Sequence, residues 1–348
     1  MKHIHFYASK MGDAYSIKNL LGEASRYKIT WHDVRTKEKQ GSGEGADLII
    51  TSHLTPGPYP VNKVLHVGHG FGGIGWLKNQ DQKAQVQNEK KCQRYLLVYG
   101  EYMKKEYAKI GYNDVIVIGM PLSIDLLKHE DVSLKNQFLS DRGLAPDKKT
   151  ILYAPTWNQE QERGLFVDWW EDGKEKERVE ILCNHVVNKH DANFVIRLHE
   201  SHRYTKNWVS VYKDIFKAYN VYAHHVNDDR YGFPYFRYSD MLIGDLSSVN
   251  SYFYLMDKPV IHLGLAPFKT KTLPARGVAW ELEDRAGKII SEFQDLLPAI
   301  DKASTDDGYR EERKRVTTKY IDYTGRACAS RILAVIDNLL EHDLNYVD

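Results

Sequence analysis

The sequence predicts an α/β protein made of two Rossmann-like domains, and three observations lead there. Short apolar or β-branched runs alternate with helix-like segments along most of the chain, the pattern of a parallel sheet with helices on its faces. At 348 residues the chain exceeds a usual single domain, so two are expected. The short, polar, Pro-containing stretch 143–149 (GLAPDKK) interrupts the alternation, which then restarts. Residues 1–146 and 147–348 are therefore expected to form two halves. Their parallel sheets would face a central cleft with the C-terminal ends of their strands.

In the first half, strands are expected at 4–7, 29–32, 47–51, 61–67, 95–99 and 115–118, each short and apolar or β-branched. Helices are expected between them at 14–27, 80–94 and 101–110, and the charged stretch 38–45 reads as an exposed loop. In the second half, strands at 150–153, 194–198, 221–224, 241–244 and 260–262 alternate with helices at 168–189, 208–219, 248–256, 288–303, 309–320 and 326–338.

Composition bounds the function. Hydrophobic residues make up 42% and charged residues 27%, the balance of a soluble globular protein. A formal charge of +1 argues against a general nucleic-acid binder. Cys92, Cys183 and Cys328 are far apart and fit no metal or CxxC spacing, so a reducing cytoplasmic setting is expected. The opening MKHIHFY reads as a first strand rather than a signal peptide, and no run is long enough to span a bilayer.

The stretch 240–262, DMLIGDLSSVNSYFYLMDKPVIH, gives the chain its centre. A short apolar strand ends at Gly244, and Asp245, Ser247 and Ser248 turn it into a buried aromatic helix. Asp257-Lys258-Pro259 breaks that helix before the next strand. Hydroxyls at a helix start either cap it or join its free N–H groups in holding a phosphate.

In the first half, the run VLHVGHGFGGIGW at 64–76 places His66 and His69 in a strand and glycine-rich loop. Gly68, Gly70 and Gly73 satisfy GxGxxG. However, the motif does not follow the first strand and no apolar helix comes after it, so a dinucleotide site is disfavoured. The alternative is that the glycines let backbone approach a ligand, with His69 placed to remove a proton from a hydroxyl. In the second half, ILYAPTWN (151–158) sets Thr156 beyond a strand end, where it either donates to a phosphate or caps the next segment. VIRLHESH (195–202) sets Arg197 and His199 on one face of a strand. His224-His225 and Asp228-Asp229 point apart on an extended segment, so no metal site is expected. The basic residues Lys78, Lys83, Lys90, Lys91, Arg94, Lys104, Lys105 and Lys109 are mixed with Glu89, Glu101 and Glu106. They read first as a solvated face and second as a surface for an anionic acceptor or membrane.

The Gly-His-Gly of 68–70, ILYAPTW, the Arg-Leu-His of 197–199 and GDLSSVNSYFYLMDKPVI, in this order, resemble the CDP-glycerol glycerophosphotransferases, the teichoic-acid-type primases and polymerases. The C-terminal 325–332 also resembles that family's last helix. The likeness runs from about Val61 onward and is strongest in the second half. It implies a GT-B fold, with 1–146 as the acceptor domain and 147–348 as the nucleotide-donor domain. The last helix would be free to pack back on the first domain.

The same resemblance implies transfer of a polyol phosphate, usually glycerol phosphate, from a CDP-linked donor to a hydroxyl-bearing glycan or polyol-phosphate polymer. His69 is implied as general base, and His199, Ser247 and Ser248 as contacts to donor phosphate. Gly70 and Asp245 stand beside them. Phe71, Asn158 and Glu200 replace the Thr, Arg and Pro usual in the family, changes that bear on the polyol and the acceptor.

The expected chemistry is an in-line attack of the acceptor hydroxyl on the distal phosphorus. His69 would take the proton, Thr156, Ser247 and Ser248 would hold the pyrophosphate, and Arg197 or His199 would offset charge on departing CMP. Positioning and electrostatics suffice for such transfer, so no cofactor is required, while help from a divalent ion stays open. Nucleic acid is not expected as a partner. A cytoplasmic location is expected, with peripheral contact to the inner membrane face left open. The rivals are a GT-B glycosyltransferase or sugar-nucleotide epimerase, and a non-catalytic nucleotide- or phosphopolymer-binding module.

Overall fold

The strands gather into two six-stranded sheets in which every neighbouring pair runs parallel. The structure is a computed structural model, and it describes residues 1–8, 12–33, 45–51, 64–67, 94–109, 111, 114–129, 131–155, 174–197, 208–224, 233–245, 247–263 and 284–341. The chain divides into two units. One takes the described residues of Met1–Lys128 and Thr317–Asp348, the other those of His129–Pro274 and Trp280–Val316.

The first unit comprises β1 (His3–Ala8), α1 (Asp13–Ala24), β2 (Lys28–Asp33), β3 (Leu48–Thr51), β4 (Val64–Val67), β5 (Arg94–Val98), α2 (Glu101–Lys109), β6 (Val115–Val117) and α3 (Ser123–Leu126). The sheet order is β2-β1-β3-β4-β5-β6. All residues of β3 and β4 are buried, as expected of strands covered on both faces. Helix α1 buries Ala14, Ile17 and Leu21 on one stripe. At its start Asp13 is buried, and its carboxylate accepts from the Tyr99 hydroxyl and from the Leu122 N–H at 2.9 Å. Burial pushes that carboxyl up to about 6, against both hydrogen bonds. Along α2, Lys104 and Lys109 pair with Glu101 and Glu106 of the same helix. This part of the basic set is a self-neutralised solvated face.

The second unit comprises α4 (Val132–Ser140), β7 (Thr150–Ala154), α5 (Glu175–Asn184), β8 (Asn193–Arg197), α6 (Trp208–Val211), α7 (Lys213–Ala218), β9 (Tyr222–His224), α8 (Phe233–Tyr238), β10 (Met241–Gly244), α9 (Val249–Leu255), β11 (Val260–Leu263), β12 (Lys288–Ile290), α10 (Phe293–Ala303) and most of α11 (Arg310–Tyr320). The sheet order is β12-β11-β10-β7-β8-β9. Counted from β7, this is the doubly wound order 6-5-4-1-2-3. The core is packed from Ile151, Phe194, Ile196, Ile243, Ile261 and Ile290 of the strands. Leu182, Val186, Leu296 and Ile300 cover them from the helices.

The chain then returns to the first unit as α12 (Gly325–Glu341). Its Cys328, Ile332, Val335, Ile336 and Leu339 lie in one core with Ile4 and Phe6 of β1, Ile17 of α1 and Leu65 of β4.

Some elements differ from the sequence expectation. The division falls at Lys128/His129 rather than 146/147. Helix α4 belongs to the second unit because Phe138 packs on the rings of Tyr235 and Tyr238, at 5.0 and 5.3 Å. Just beyond it, Arg142 Nε donates to the Tyr235 hydroxyl at 2.9 Å. The expected helix 288–303 is a strand followed by a helix, since Lys288, Ile289 and Ile290 pair with Ile261, His262 and Leu263. The expected helix 208–219 breaks at Tyr212. The expected helix 80–94 falls outside the described residues except Arg94, which opens β5.

Candidate active site

In a doubly wound sheet the chain leaves in opposite directions on the two sides of one strand pair, and a crevice opens beyond those strand ends. In the second unit that pair is β7 and β10, with Gly244 opposite Ala154. The turn Asp245–Ser248 therefore starts at the switch point.

Hydrogen bonds give this turn its shape. The Ser247 N–H donates to Asp245 Oδ1 at 3.1 Å, and the Val249 N–H donates to Ser247 Oγ at 3.3 Å. The Asn250 N–H donates to the Ser247 carbonyl at 3.2 Å. These N–H groups, expected to face a phosphate, are thus already satisfied by the turn itself. Ser248 makes no side-chain capping bond, while its carbonyl accepts from Ser251 Oγ at 2.7 Å. Its half-buried hydroxyl is the one not tied into the helix start.

Beneath the turn lies a buried polar network. Asn250 Nδ2 donates to the Asp245 carbonyl at 2.7 Å. The Tyr254 hydroxyl accepts from the Ala286 N–H at 3.0 Å and lies 2.7 Å from His262 Nε2. Tyr254 donates to Nε2, because the Asp245 backbone accepts from the other ring nitrogen. The ring proton is then on Nδ1, facing the Asp245 backbone and 3.4 Å from Asn250 Nδ2. His262 is wholly buried. Burial first, and the charge of buried Arg285 second, hold its pKa down to about 3. At Gly244 an added Cβ would lie 2.6 Å from Asn250 Oδ1, so only glycine lets β10 approach this side chain so closely. The signal was present: Asn250 and Tyr254, four apart on an apolar helix, share one face, and His262 interrupts an apolar strand.

Arg197 ends β8 opposite His224, at the C-terminal edge of the same sheet. It is buried, with its guanidinium 5.0 Å from the centre of the Phe236 ring, a cation–π contact. His66 is buried within β4 of the first unit. Arg197, Asp245, Ser247 and Ser248 are thus at one sheet edge of the second unit. His69, Gly70, Thr156 and His199 lie outside the described residues.

Comparison with known proteins agrees with this architecture. The wall teichoic acid polymerase TagF superposes with a TM-score of 0.76 at 18% identity, covering 99% of this chain and 90% of that one. A TagF structure soaked with CDPG gives 0.72 at 17% identity, covering 99% and 90%. The S. aureus MnaA–UDP structure gives 0.60 at 14%, covering 98% and 97%. These likenesses establish the GT-B class of fold. No curated protein sequence matches. Among the described residues, no helix is long and apolar enough to cross a membrane. The model of the CDP-glycerol:poly(glycerophosphate) glycerophosphotransferases matches residues 62–338, most of the chain including every site residue named above, and the chain therefore belongs to that family of CDP-glycerol-dependent transferases.

Proposed function

We propose that the chain moves glycerol phosphate from CDP-glycerol onto a hydroxyl of a growing polyol-phosphate polymer of the teichoic-acid type. The acceptor oxygen attacks the glycerol-bearing phosphorus. A new P–O bond forms as the bond to CMP breaks, and CMP leaves. His69 takes the acceptor proton, and Gly70 beside it is the residue type that lets backbone approach a ligand. Ser247, Ser248, Thr156 and His199 contact the donor phosphates, and Arg197 offsets the charge that builds on CMP. Asp245, beside them at the strand end, keeps the turn in shape through Ser247. These steps require no cofactor chemistry, and the polymer is extended at the inner membrane face.

The family match over residues 62–338 carries this reading. The position of Asp245–Ser248 at the switch point supports the roles given to the serines. The same match favours the transferase over a sugar-nucleotide epimerase or a silent binding module. The test follows glycerol-labelled CDP-glycerol with a polyol-phosphate acceptor. Label should enter the polymer as CMP appears. His69→Ala should lower turnover about 10²–10⁴-fold with donor binding near wild type. Consumption of UDP-GlcNAc with CDP-glycerol untouched would overturn the assignment, and near-normal turnover in His69→Ala would remove its role as base.

A further inference from the structure

Helix α5 ends in a feature that the transfer reaction does not use. It widens into a π-turn, His185–Lys189, closed by the His190 N–H donating to the His185 carbonyl at 3.2 Å. In a regular α-helix, residues five apart sit about 140° apart around the axis. Here the wider turn brings His185 and His190 together, with ring centres 5.1 Å apart. Both Nε2 atoms reach the same oxygen, Asp301 Oδ1 of α10, each at 2.7 Å. Lys189 Nζ holds the other oxygen, Oδ2, at 2.7 Å.

We propose that His185, His190 and Asp301 form a binding site for a divalent transition-metal ion of the zinc type. Their three ligand atoms lie within 4.8 Å of one another. Two imidazole nitrogens and one carboxylate oxygen are a ligand set such ions take, with water completing the shell. Magnesium and calcium prefer oxygen ligands and are not expected. Ligand atoms around a tetrahedral ion stand about 3.3 Å apart, so each 2.7 Å pair must open by roughly half an ångström. Asp301 has the room, since its side chain is 39% exposed. That exposure also leaves a side open to water. Lys189 on the outer oxygen orients the carboxylate, as partners of metal-bound carboxylates do.

Backbone π-turns are uncommon and recur at functional sites. This one comes just before β8 begins at Asn193, so the site is at the strand edge opposite Asp245–Ser248. An ion here clamps α5 to α10 and acts on stability rather than on donor phosphate.

The test strips the full chain with chelator and titrates zinc chloride by calorimetry and thermal melting. Wild type should bind one ion with micromolar or tighter affinity and melt several degrees higher at a hundredfold excess over Kd. His190→Gln and Asp301→Asn should each weaken binding tenfold or more. Magnesium chloride should leave the melt unchanged. Wild-type binding weaker than about 100 μM would overturn the proposal. So would equal affinity in wild type and His190→Gln, which would place the ion among the chain's other histidines. An equal response to magnesium would refute the zinc-type assignment. If Asp301→Asn fails to fold, as circular dichroism would reveal, His190→Gln decides alone, because the glutamine amide can still donate to Asp301 where the imidazole did.

Discussion

His262 carries a pH dependence that one substitution isolates. Buried under the Asp245–Ser248 turn, it has a pKa near 3 in the folded protein and about 6.5 in the unfolded chain. Below pH 6.5 the unfolded chain binds a proton that the folded one refuses, so stability falls as the pH falls. The contribution is fully present above about 6.5 and is lost progressively down to about 3. Over pH 6 to 4 the loss from this residue is about 2.5 kcal/mol. His262→Gln removes the titration and keeps an amide within reach of Tyr254. Its fixed cost, about 1–3 kcal/mol for imperfect partners, does not vary with pH. Urea melts of both proteins at pH 6, 5 and 4 give the test. The stability advantage of wild type over variant should shrink by about 2.5 kcal/mol from pH 6 to pH 4. Parallel profiles would refute the reasoning, because they would mean that His262 ionises alike in both states.

Asp13 should behave with the opposite sign. Its folded value of about 6 lies above the unfolded 3.8, so its stabilising contribution is full below about 4 and is lost as pH rises through 6. Asp13→Asn should remove that loss, about 2.4 kcal/mol between pH 4 and 7, and an unchanged pH profile in urea melts would contradict it. Ser247→Ala with Ser248→Ala should weaken CDP binding by roughly 1–3 kcal/mol by calorimetry. Ser248→Ala alone should leave the melting midpoint in place, since Ser248 caps nothing. Unchanged CDP affinity in the double variant would limit the serines to shaping the turn. Arg313→Ala should cost about 3–5 kcal/mol in urea melts. Arg313 is buried, and its Nε donates to Asp257 at 2.9 Å while its Nη1 pairs with half-buried Asp307. A loss under about 1 kcal/mol would show that this pair contributes little.

The alternation of short apolar runs made the parallel sheets legible, because strands buried on both faces need continuous Val, Ile and Leu. The boundary near 143–149 was misleading. A proline-containing turn marks a break in the chain but does not say which core the preceding helix joins, and the aromatic contacts of Phe138 decide that. Lys288–Ile290 read as the start of a helix because three residues carry no period of their own, and pairing with β11 overrode the helix pattern. At the site, type and spacing revealed Asp245, Ser247 and Ser248. Asn250, Tyr254 and His262 look like ordinary buried residues in the sequence, since the contacts that gather them join a helix, a strand and residue 286. The His185–His190 pair was hidden more deeply. Five-residue spacing points two side chains apart in an α-helix, and only the π-turn brings them together.

Helix α12 gives the first unit an unusual history during synthesis. Its residues Cys328 to Leu339 cover the same core as Ile4 and Phe6 of β1, yet a ribosome makes them more than three hundred residues later. The second unit's strands and helices all emerge in between. The first six strands therefore wait with an apolar face uncovered while an entire second fold is completed. During that interval the nascent chain offers a sticky surface of the kind that chaperones bind. A chain stopped before α12 should therefore leave this part of the first unit's core uncovered.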